Sequence, residues 1–428
     1  MKKKNILVYP AGTEIGLEIA RSLQFSKHFN IIGANSINDH SDIIFDTVIH
    51  GFPSVYEKEE LLKEITKVIE LYLIDIIYPA HDEVLAFFAS LNLSGVKIIT
   101  PSVKTSEVLR YKSETYKALA EAHFVPKVIQ KNNRENANFP LFARPDRGQG
   151  AVGAFRIDTL QQLAECLASQ TKYIVTEFLP GCEYTVDCYS NNKGQLQYLC
   201  ARERQRIRNG ICVRVHECLP DEFQEIALSI SSKIDLTGCW FFQVKRDQTG
   251  TLKLMEVANR VAGTMGYERL KGVNLVQATL WEALGYTVVL PQNQKGNFIY
   301  DRSLYEGVKF PYALNALYVD LDDTLIFDNG SVNYELIGYI IGLRFNQKTK
   351  IILITRHKSD PLQTLEQYSL EAYFDEIIHL QKNECKSLFI KGEKNAFIDD
   401  SFIERMQVAA QHPKVLCVGP EGQRVLSG

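Results

Sequence analysis

The chain has 428 residues, too many for a single hydrophobic core, so two to three domains are expected. Hydrophobic residues at 45% against 23% charged fit a soluble globular protein, and a net charge of −3 gives no electrostatic case for nucleic acid or an anionic membrane. No apolar run reaches the length of a membrane span, and Ile6–Tyr9 behind Lys2-Lys3-Lys4 is too short for the core of a secretion signal, so a cytoplasmic protein is expected. The nine cysteines are odd in number and contain no C-x-x-C pair, which argues for small buried hydrophobes and against zinc or disulfides.

Residues 5–9 read as a strand, and Gly12 and Gly16 bracket a turn into a helix whose Ile15, Ile19 and Leu23 share one face. Further strands are expected at 30–34, 75–78 and 96–99, with a helix over Lys58–Tyr72. This alternation predicts a small parallel α/β domain over 1–102. Gly12-Thr13-Glu14-Ile15-Gly16 lacks a full G-x-G-x-x-G, and a tight strand-to-helix turn accounts for both glycines without a ligand.

From residue 103 the texture changes to α+β, with a helix over Glu107–Ala122 and loops marked by Pro126 and Pro140. Phe142–Pro145 reads as a strand entering a glycine-rich loop. Gly148, Gly150 and Gly153 there let backbone N–H groups approach a polyphosphate, with Lys112 and Arg144 adding positive charge. Tyr173–Leu179 is a strand able to offer hydrogen bonds and an apolar wall to an adenine. Glu183–Asp187 resumes the strand with a carboxylate suited to ribose hydroxyls. Phe241–Val244 and Lys253–Val257 read as neighbouring strands joined by a turn at Asp247–Gly250. Gln243 and Glu256 then lie side by side as oxygen ligands for Mg²⁺ bound to ATP, with Arg260 close behind.

In this order the pieces resemble the ATP-grasp superfamily, especially the branch of the carbamoyl-phosphate synthetase large subunit, over about residues 1–290. The resemblance implies a pre-ATP-grasp α/β domain at 1–102 and an ATP-grasp domain at 103–290. It implies Lys112 and Arg144 at the phosphates, Gly148 to Gly153 as a mobile lid, and Glu177, Phe178 and Leu179 as the adenine hinge. It further implies Glu183 on the ribose, Gln243 and Glu256 on the metal, and Arg260 near the acyl-phosphate oxygens. The family's metal strand reads Glu-x-Asn-x-Arg, whereas this chain has Glu256-Val257-Ala258-Asn259-Arg260. Ala258 takes the place of the asparagine ligand, and strand alternation points Asn259 away unless a bulge re-aims it. Arg202, Arg204, Arg206 and Arg208 alternate with period two, which puts them on one strand face, either solvated or an anionic-substrate site.

Residues 291–313 are polar and turn-rich, yet Phe298, Ile299, Tyr300, Phe310 and Tyr312 predict a packed linker. Ala316–Val319 then reads as a buried parallel strand, and alternation points Asp320 and Asp322 the same way past its C-terminal end, where open α/β sheets bind ligands. A helix N-cap is the simpler account of Asp320-Leu321-Asp322-Asp323-Thr324 taken alone. Two further strands follow: Ile351–Ile354 ends in Thr355, and Ala396–Ile398 ends in Asp399-Asp400-Ser401. Lys386 lies between them, with Lys391 and Lys394 as competitors.

This set resembles the haloacid dehalogenase-like phosphohydrolases over residues 314–428, which implies a Rossmannoid domain. By that resemblance Asp320 attacks phosphorus to form an aspartyl-phosphate, and Asp322 protonates the leaving group and then activates water. Thr355 and Lys386 hold the phosphoryl group. Asp399 and Asp400 bind Mg²⁺ with Asp320, and Asp322 is a further metal candidate. Just over thirty residues separate Thr324 from Thr355, which leaves a minimal cap and an open site.

The expected whole is a multidomain α/β and α+β enzyme with two activities. One is an ATP-dependent ligase joining a small-molecule carboxylate to an amine or related nucleophile through an acyl phosphate. The other is a Mg²⁺-dependent phosphatase acting on a related phosphorylated metabolite. The alternative is a phosphatase carrying a catalytically degraded ATP-grasp domain used for nucleotide or substrate binding or regulation. Neither nucleic acid nor membrane is expected as a partner, and an oligomer is compatible with the sequence.

Overall fold

The computed structural model describes residues 2–131, 134–148, 152–208, 210–218, 221–291, 299–303 and 313–427. Gly150 of the expected lid, and Phe298, Phe310 and Tyr312 of the expected linker, lie outside the described residues. The chain divides into two compact units, Met1–Ser303 and Leu304–Gly428. Among the described residues no helix is long and apolar enough to cross a membrane.

The first unit opens with five parallel strands: β1 (Lys4–Tyr9), β2 (Phe29–Ala34), β3 (Val48–Ile49), β4 (Ile74–Pro79) and β5 (Lys97–Ile98), in the order β3-β2-β1-β4-β5. Ile6 and Val8 enter one core and Leu7 and Tyr9 another, so both faces of the sheet are covered and its central strands carry near-continuous apolar runs. The helix Glu14–Leu23 starts at Thr13, whose Oγ1 accepts from the Gly16 N–H at 3.0 Å. A Cβ at Gly16 would lie 2.4 Å from the Ala11 carbonyl oxygen, and one at Gly12 would collide with Asp39. Close packing against backbone therefore requires Gly16, whereas at Gly12 the neighbour is a side chain.

A single helix over Glu107–Ala122 is not formed. Tyr111 is extended (φ −114°, ψ 121°) and separates Val103–Arg110 from Lys112–Ala118. The break lets the Lys112 N–H reach the Asp146 carbonyl at 3.0 Å. Asp146 also accepts from the Ser113 N–H and hydroxyl, at 2.8 and 2.7 Å. Tertiary bonds outweigh helix continuity here.

A small antiparallel sheet follows, of β6 (Val128–Ile129), β7 (Leu141–Pro145), β8 (Phe155–Ile157) and β9 (Tyr173–Glu177), ordered β6-β9-β7-β8. A larger antiparallel sheet contains β10 (Glu183–Ser190), β11 (Leu196–Arg208), β12 (Ile211–Cys218), β13 (Gly238–Arg246), β14 (Leu252–Ala258) and β15 (Ile299–Asp301). Its order is β14-β13-β10-β11-β12-β15. Cys239 and Phe241 face the core shared with β1, while Trp240 and Phe242 face a second core with Tyr116 and Ile226. The three residues of β15 fall within the segment 291–313 and pair with β12 in register Val215↔Tyr300.

The second unit is a five-stranded parallel sheet of β16 (Ala316–Val319), β17 (Lys350–Thr355), β18 (Glu376–His379), β19 (Asn395–Ile398) and β20 (Leu416–Val418), ordered β18-β17-β16-β19-β20. Leu317 and Val319 enter one core and Ala316 and Tyr318 the other. The helix Tyr334–Asn346 is the main element between Thr324 and β17. The order places the C-terminal ends of β16, β17 and β19 side by side, at the edge where such sheets bind ligands.

Candidate functional site

The first unit contains a cavity of about 500 Å³ lined by strands of its two antiparallel sheets and by residues that follow β1 and β4 of the parallel one. Phe142, Glu177, Phe178 and Leu179 form one wall. The Phe142 and Phe178 ring centroids are 6.3 Å apart, and the Arg156 guanidinium lies 5.0 Å from the Phe178 centroid. Glu177 is tied to the chain it follows: its Oε1 accepts from the Lys127 N–H at 2.8 Å.

The lining also carries charged groups. Lys112 Nζ donates to the Gly148 carbonyl at 2.9 Å, so the lysine is already seated against the glycine-rich loop. Burial holds its ammonium below the usual lysine range, and Arg144 adds to the effect while Glu256 opposes it. Arg144 lines the cavity but is buried, donating to the Met255 carbonyl at 3.0 Å and the Tyr116 hydroxyl at 2.5 Å. Gly148 has φ +147° and Gly153 φ +72°; Gly148 is in the lining and Gly153 is not. Glu183 faces cations: Arg204 Nη1 at 2.8 Å and Lys245 Nζ at 3.9 Å.

Gln243 and Glu256 are direct register partners on β13 and β14, and both line the cavity. Their oxygens suit a hard cation. The register shifts between Gln243 and Val244, but this bulge does not re-aim Asn259. The Asn259 amide donates to the Thr237 and Cys239 carbonyls, at 2.8 and 3.0 Å. Ala258 lies opposite Phe241 and packs into the core. A methyl group thus stands where the sequence pattern would place a third ligand.

Arg260 forms a fork to Asp82, with Nε–Oδ1 at 2.5 Å and Nη2–Oδ2 at 3.0 Å. Burial resists ionisation of Asp82, but Arg260 outweighs it and holds the carboxyl below its ordinary range. His81, just beyond β4, lines the same cavity, and burial lowers its pKa. Thr13, Glu14 and Arg302 complete this end, with Arg302 Nη2 2.6 Å from Glu14 Oε1. None of His81, Asp82, Glu14 or Arg302 stood out in the sequence. His81 and Asp82 had a signal: they follow an apolar strand at the C-terminal edge of a parallel sheet, as Asp320 does.

The arginine stripe is not one face. Bulges between Arg204 and Arg206 and between Arg206 and Ile207 break the period. Arg202 is fully buried and binds Asp187, Glu268 Oε1 at 2.9 Å and Thr264 Oγ1 at 3.1 Å. Glu268 Oε2 also accepts from the Tyr198 hydroxyl at 2.5 Å. Burial pushes Asp187 up to about 6, with Arg202 opposing and Glu268 adding. Arg202 is therefore neither solvated nor open to substrate. Arg204 lines the cavity, and Arg206 and Arg208 are exposed.

In the second unit Asp320 sits at the end of β16, its N–H donating to the Ile398 carbonyl at 3.0 Å. Lys386 Nζ lies 2.5 Å from Asp320 Oδ1 and 2.6 Å from Asp399 Oδ2, and all three residues are buried. Burial drives Asp320 up to about 7, with Lys386 opposing and Asp399 adding. Burial works against the Lys386 charge, but the two carboxylates outweigh it and hold its pKa above the usual value. Lys391 and Lys394 are exposed.

Asp320, Asp399 and Asp400 bring one carboxylate oxygen each within 4.8 Å of one another, an all-oxygen set that fits Mg²⁺. Asp322 is not in that set. Beyond the strand end the chain turns, with Asp323 at φ +54°, and the Asp322 carboxylate goes to His357 instead. Thr355 is fully buried, and its Oγ1 accepts from the His357 N–H at 3.1 Å. The Asp400 N–H donates to Thr324 Oγ1 at 2.9 Å, linking two of the strand-end segments.

Residues 169–301 match the model of a family described as ATP-grasp in the biosynthetic pathway with Ter operon. Among solved structures, the chain is similar to Rhizobium etli pyruvate carboxylase T882A with the allosteric activator acetyl coenzyme A. The identity is 17% and the TM-score 0.55, over 67% of this chain but only 29% of that one. It is also similar to the biotin carboxylase domain dimer of Hydrogenobacter thermophilus 2-oxoglutarate carboxylase in complex with MgADP, ADP and bicarbonate (16%, TM-score 0.55, 67% of this chain and 70% of that one). A third likeness is to Staphylococcus aureus N5-carboxyaminoimidazole synthetase complexed with ADP (14%, TM-score 0.53, 68% and 79%). No curated protein matches the sequence. At these identities the likeness is one of fold: a mixed α/β multidomain chain with parallel sheets and an ATP-grasp-like fold. The family match ends before the second unit begins.

Proposed function

We propose that the chain is a bifunctional enzyme. In its first unit an ATP-dependent ligase activates a small-molecule carboxylate as an acyl phosphate for attack by an amine or related nucleophile. The observation that most supports this is the meeting of Lys112, Arg144, Gln243, Glu256 and Arg260 in one cavity with the apolar wall of Phe178 and Leu179. The wall receives adenine, the Glu177–Leu179 backbone reads its edge, and Glu183 takes the ribose hydroxyls. Lys112 and Arg144 offset phosphate charge, and Gln243 and Glu256 hold Mg²⁺. The substrate carboxylate attacks the terminal phosphorus of ATP and ADP leaves; the nucleophile then displaces phosphate from the acyl carbon. Arg260, pre-oriented by Asp82, stabilises the transferred phosphoryl oxygens. The printed complexes of the similar structures, with ADP and with MgADP plus bicarbonate, agree with this reading.

The second unit, in this proposal, is a phosphohydrolase. Ionised Asp320 attacks phosphorus, the leaving oxygen departs with a proton from Asp322, and an aspartyl-phosphate forms. Asp322 then takes a proton from water, which attacks that phosphorus and frees Asp320. Lys386 and Thr355 hold the phosphoryl oxygens, and Asp399 and Asp400 complete the Mg²⁺ site with Asp320. The chemistry Mg²⁺ supplies when bound at either site is neutralisation of charge on phosphate oxygens. What supports this reading is the Asp320–Lys386–Asp399 bridge beside Thr355 at one sheet edge. Fusion of the two units suggests that the phosphoester is related to the ligase's substrate or product.

A second reading rests on Ala258 and Asn259. With a core methyl at the third ligand position, the first unit would bind nucleotide without turnover, leaving the phosphatase as the sole activity.

One experiment separates the readings. Intact protein and its Asp320→Asn variant are incubated with ATP, Mg²⁺, pooled carboxylates plus amines, and p-nitrophenyl phosphate as a phosphoester, with ADP and phosphate followed separately. Acid-dependent ADP formation that survives Asp320→Asn establishes the ligase. Phosphate release abolished by Asp320→Asn, with no ADP from any mixture, favours the phosphatase with a binding-only first unit.

A further inference from the structure

His357 makes a contact that the proposed chemistry leaves unused. It follows Thr355 and Arg356 past the end of β17. Its Nδ1 lies 2.8 Å from Asp322 Oδ1, and its Nε2 lies 3.0 Å from Thr364 Oγ1. Its backbone is fixed on both sides. The N–H donates to Thr355 Oγ1 at 3.1 Å, and the carbonyl accepts from His379 Nε2 at 2.8 Å. The histidine side chain is 20% exposed, whereas that of Asp322 is 56% exposed.

These facts assign the ring's hydrogen bonds. Oδ1 of an ionised carboxylate can only accept, so Nδ1 carries the hydrogen toward Asp322, while Nε2 rests against the Thr364 hydroxyl, which also donates to the Asp360 carbonyl at 3.2 Å. An aspartate this exposed, on a turn outside the strand, otherwise samples several rotamers, and fixing one has an entropic cost. No large insertion lies between Thr324 and Thr355 to close over it.

We propose that His357 is a positioning residue for Asp322: it holds Oδ1, so that Oδ2 is the oxygen presented to the leaving group and then to water. This rests on the phosphohydrolase reading of the second unit. His357 exchanges no proton with Asp322 in this scheme. The proton that Asp322 gives in the first step and regains in the second travels through Oδ2, and His357 acts on the reaction only by fixing that carboxylate.

The test uses the full chain with Mg²⁺ and p-nitrophenyl phosphate as probe, reading kcat and KM separately. His357→Ala should lower kcat about tenfold with KM within about twofold. His357→Asn, whose amide places an N–H near the Nδ1 position, should recover most of the loss. His357→Gln, whose amide reaches out to the Nε2 position, should not. In an Asp322→Asn background His357→Ala should add nothing, because the two residues act as a unit. Multiplying losses in the double variant, a loss carried by KM, or an Asn variant as impaired as Ala would overturn the assignment. Asp320→Asn separates the two levels of the argument. If it is inactive while His357→Ala is fully active, only the positioning role fails. If it releases phosphate at the parent rate, or the parent releases none, the phosphohydrolase reading fails and the positioning role with it.

Discussion

Replacing Arg202 by Met should destabilise the first unit by about 4 kcal/mol near pH 8 and by about 1 kcal/mol near pH 5. The arginine is fully buried against two carboxylates, Asp187 and Glu268, that are equally buried. Deleting the one cation leaves two buried carboxylates with no counter-charge against them, a change that ordinarily costs about 3–5 kcal/mol. The pH dependence follows from Asp187. Burial first, with Glu268 adding and Arg202 opposing, already sets its folded pKa at about 6 against an ordinary 3.8. A raised acid contributes its full stability below the ordinary value and loses it as pH rises through the folded value. That is about 3 kcal/mol across this window in the parent protein. Removing Arg202 raises the folded pKa further, so the variant's loss extends above neutrality, while near pH 5 it simply keeps the proton. Both tryptophans, Trp240 and Trp281, lie in the first unit, so urea unfolding followed by their fluorescence reports this unit alone. With a slope of about 3 kcal/mol per molar, the midpoint should fall by about 1 M or more near pH 8. A loss below about 1 kcal/mol there, or equal losses at both pH values, would refute the reasoning. Neutralising the partners as well, with Asp187→Asn and Glu268→Gln, should restore most of the stability.

Other outcomes follow from the same structure. Glu256→Gln should cut ADP formation at least about 100-fold by weakening the oxygen pair with Gln243, while p-nitrophenyl phosphate hydrolysis stays unchanged. Lys386→Met should abolish that hydrolysis and lower the second unit's calorimetric transition, since two buried carboxylates lose their cation at a cost of about 3–5 kcal/mol. Gly16→Ala should cost on the order of 2 kcal/mol by tryptophan fluorescence, because the new Cβ meets a backbone carbonyl that cannot yield.

Where a candidate residue sits at the end of a short apolar strand, its placement was readable in the sequence. Asp320, Thr355 and Asp399 each follow such a run, and one sheet order brings the three ends together. Gln243 and Glu256 were readable because a tight turn at Asp247–Gly250 fixes the hairpin register. The same rule applied to Ile74–Pro79 would have found His81 and Asp82. Other features had no local signal. The fates of Arg202 and Arg204 depend on bulges that alternation does not foresee, and the break at Tyr111 depends on Asp146, more than thirty residues away. Arg302 reaches the cavity only because β15 returns to the edge of a distant sheet. His357 lay in plain view beside Thr355, yet nothing in spacing alone linked it to Asp322.

The lysine wedged between Asp320 and Asp399 has one more implication. Because the chain carries its own counter-ion into that pocket, the second unit does not need a divalent cation to hold its acids together. On the proposed phosphohydrolase reading, folding and catalysis would then answer to different supplies: the lysine would serve the fold, and only turnover would follow the magnesium level. A chelator should therefore silence this unit and leave it standing, ready to resume as soon as the metal returns.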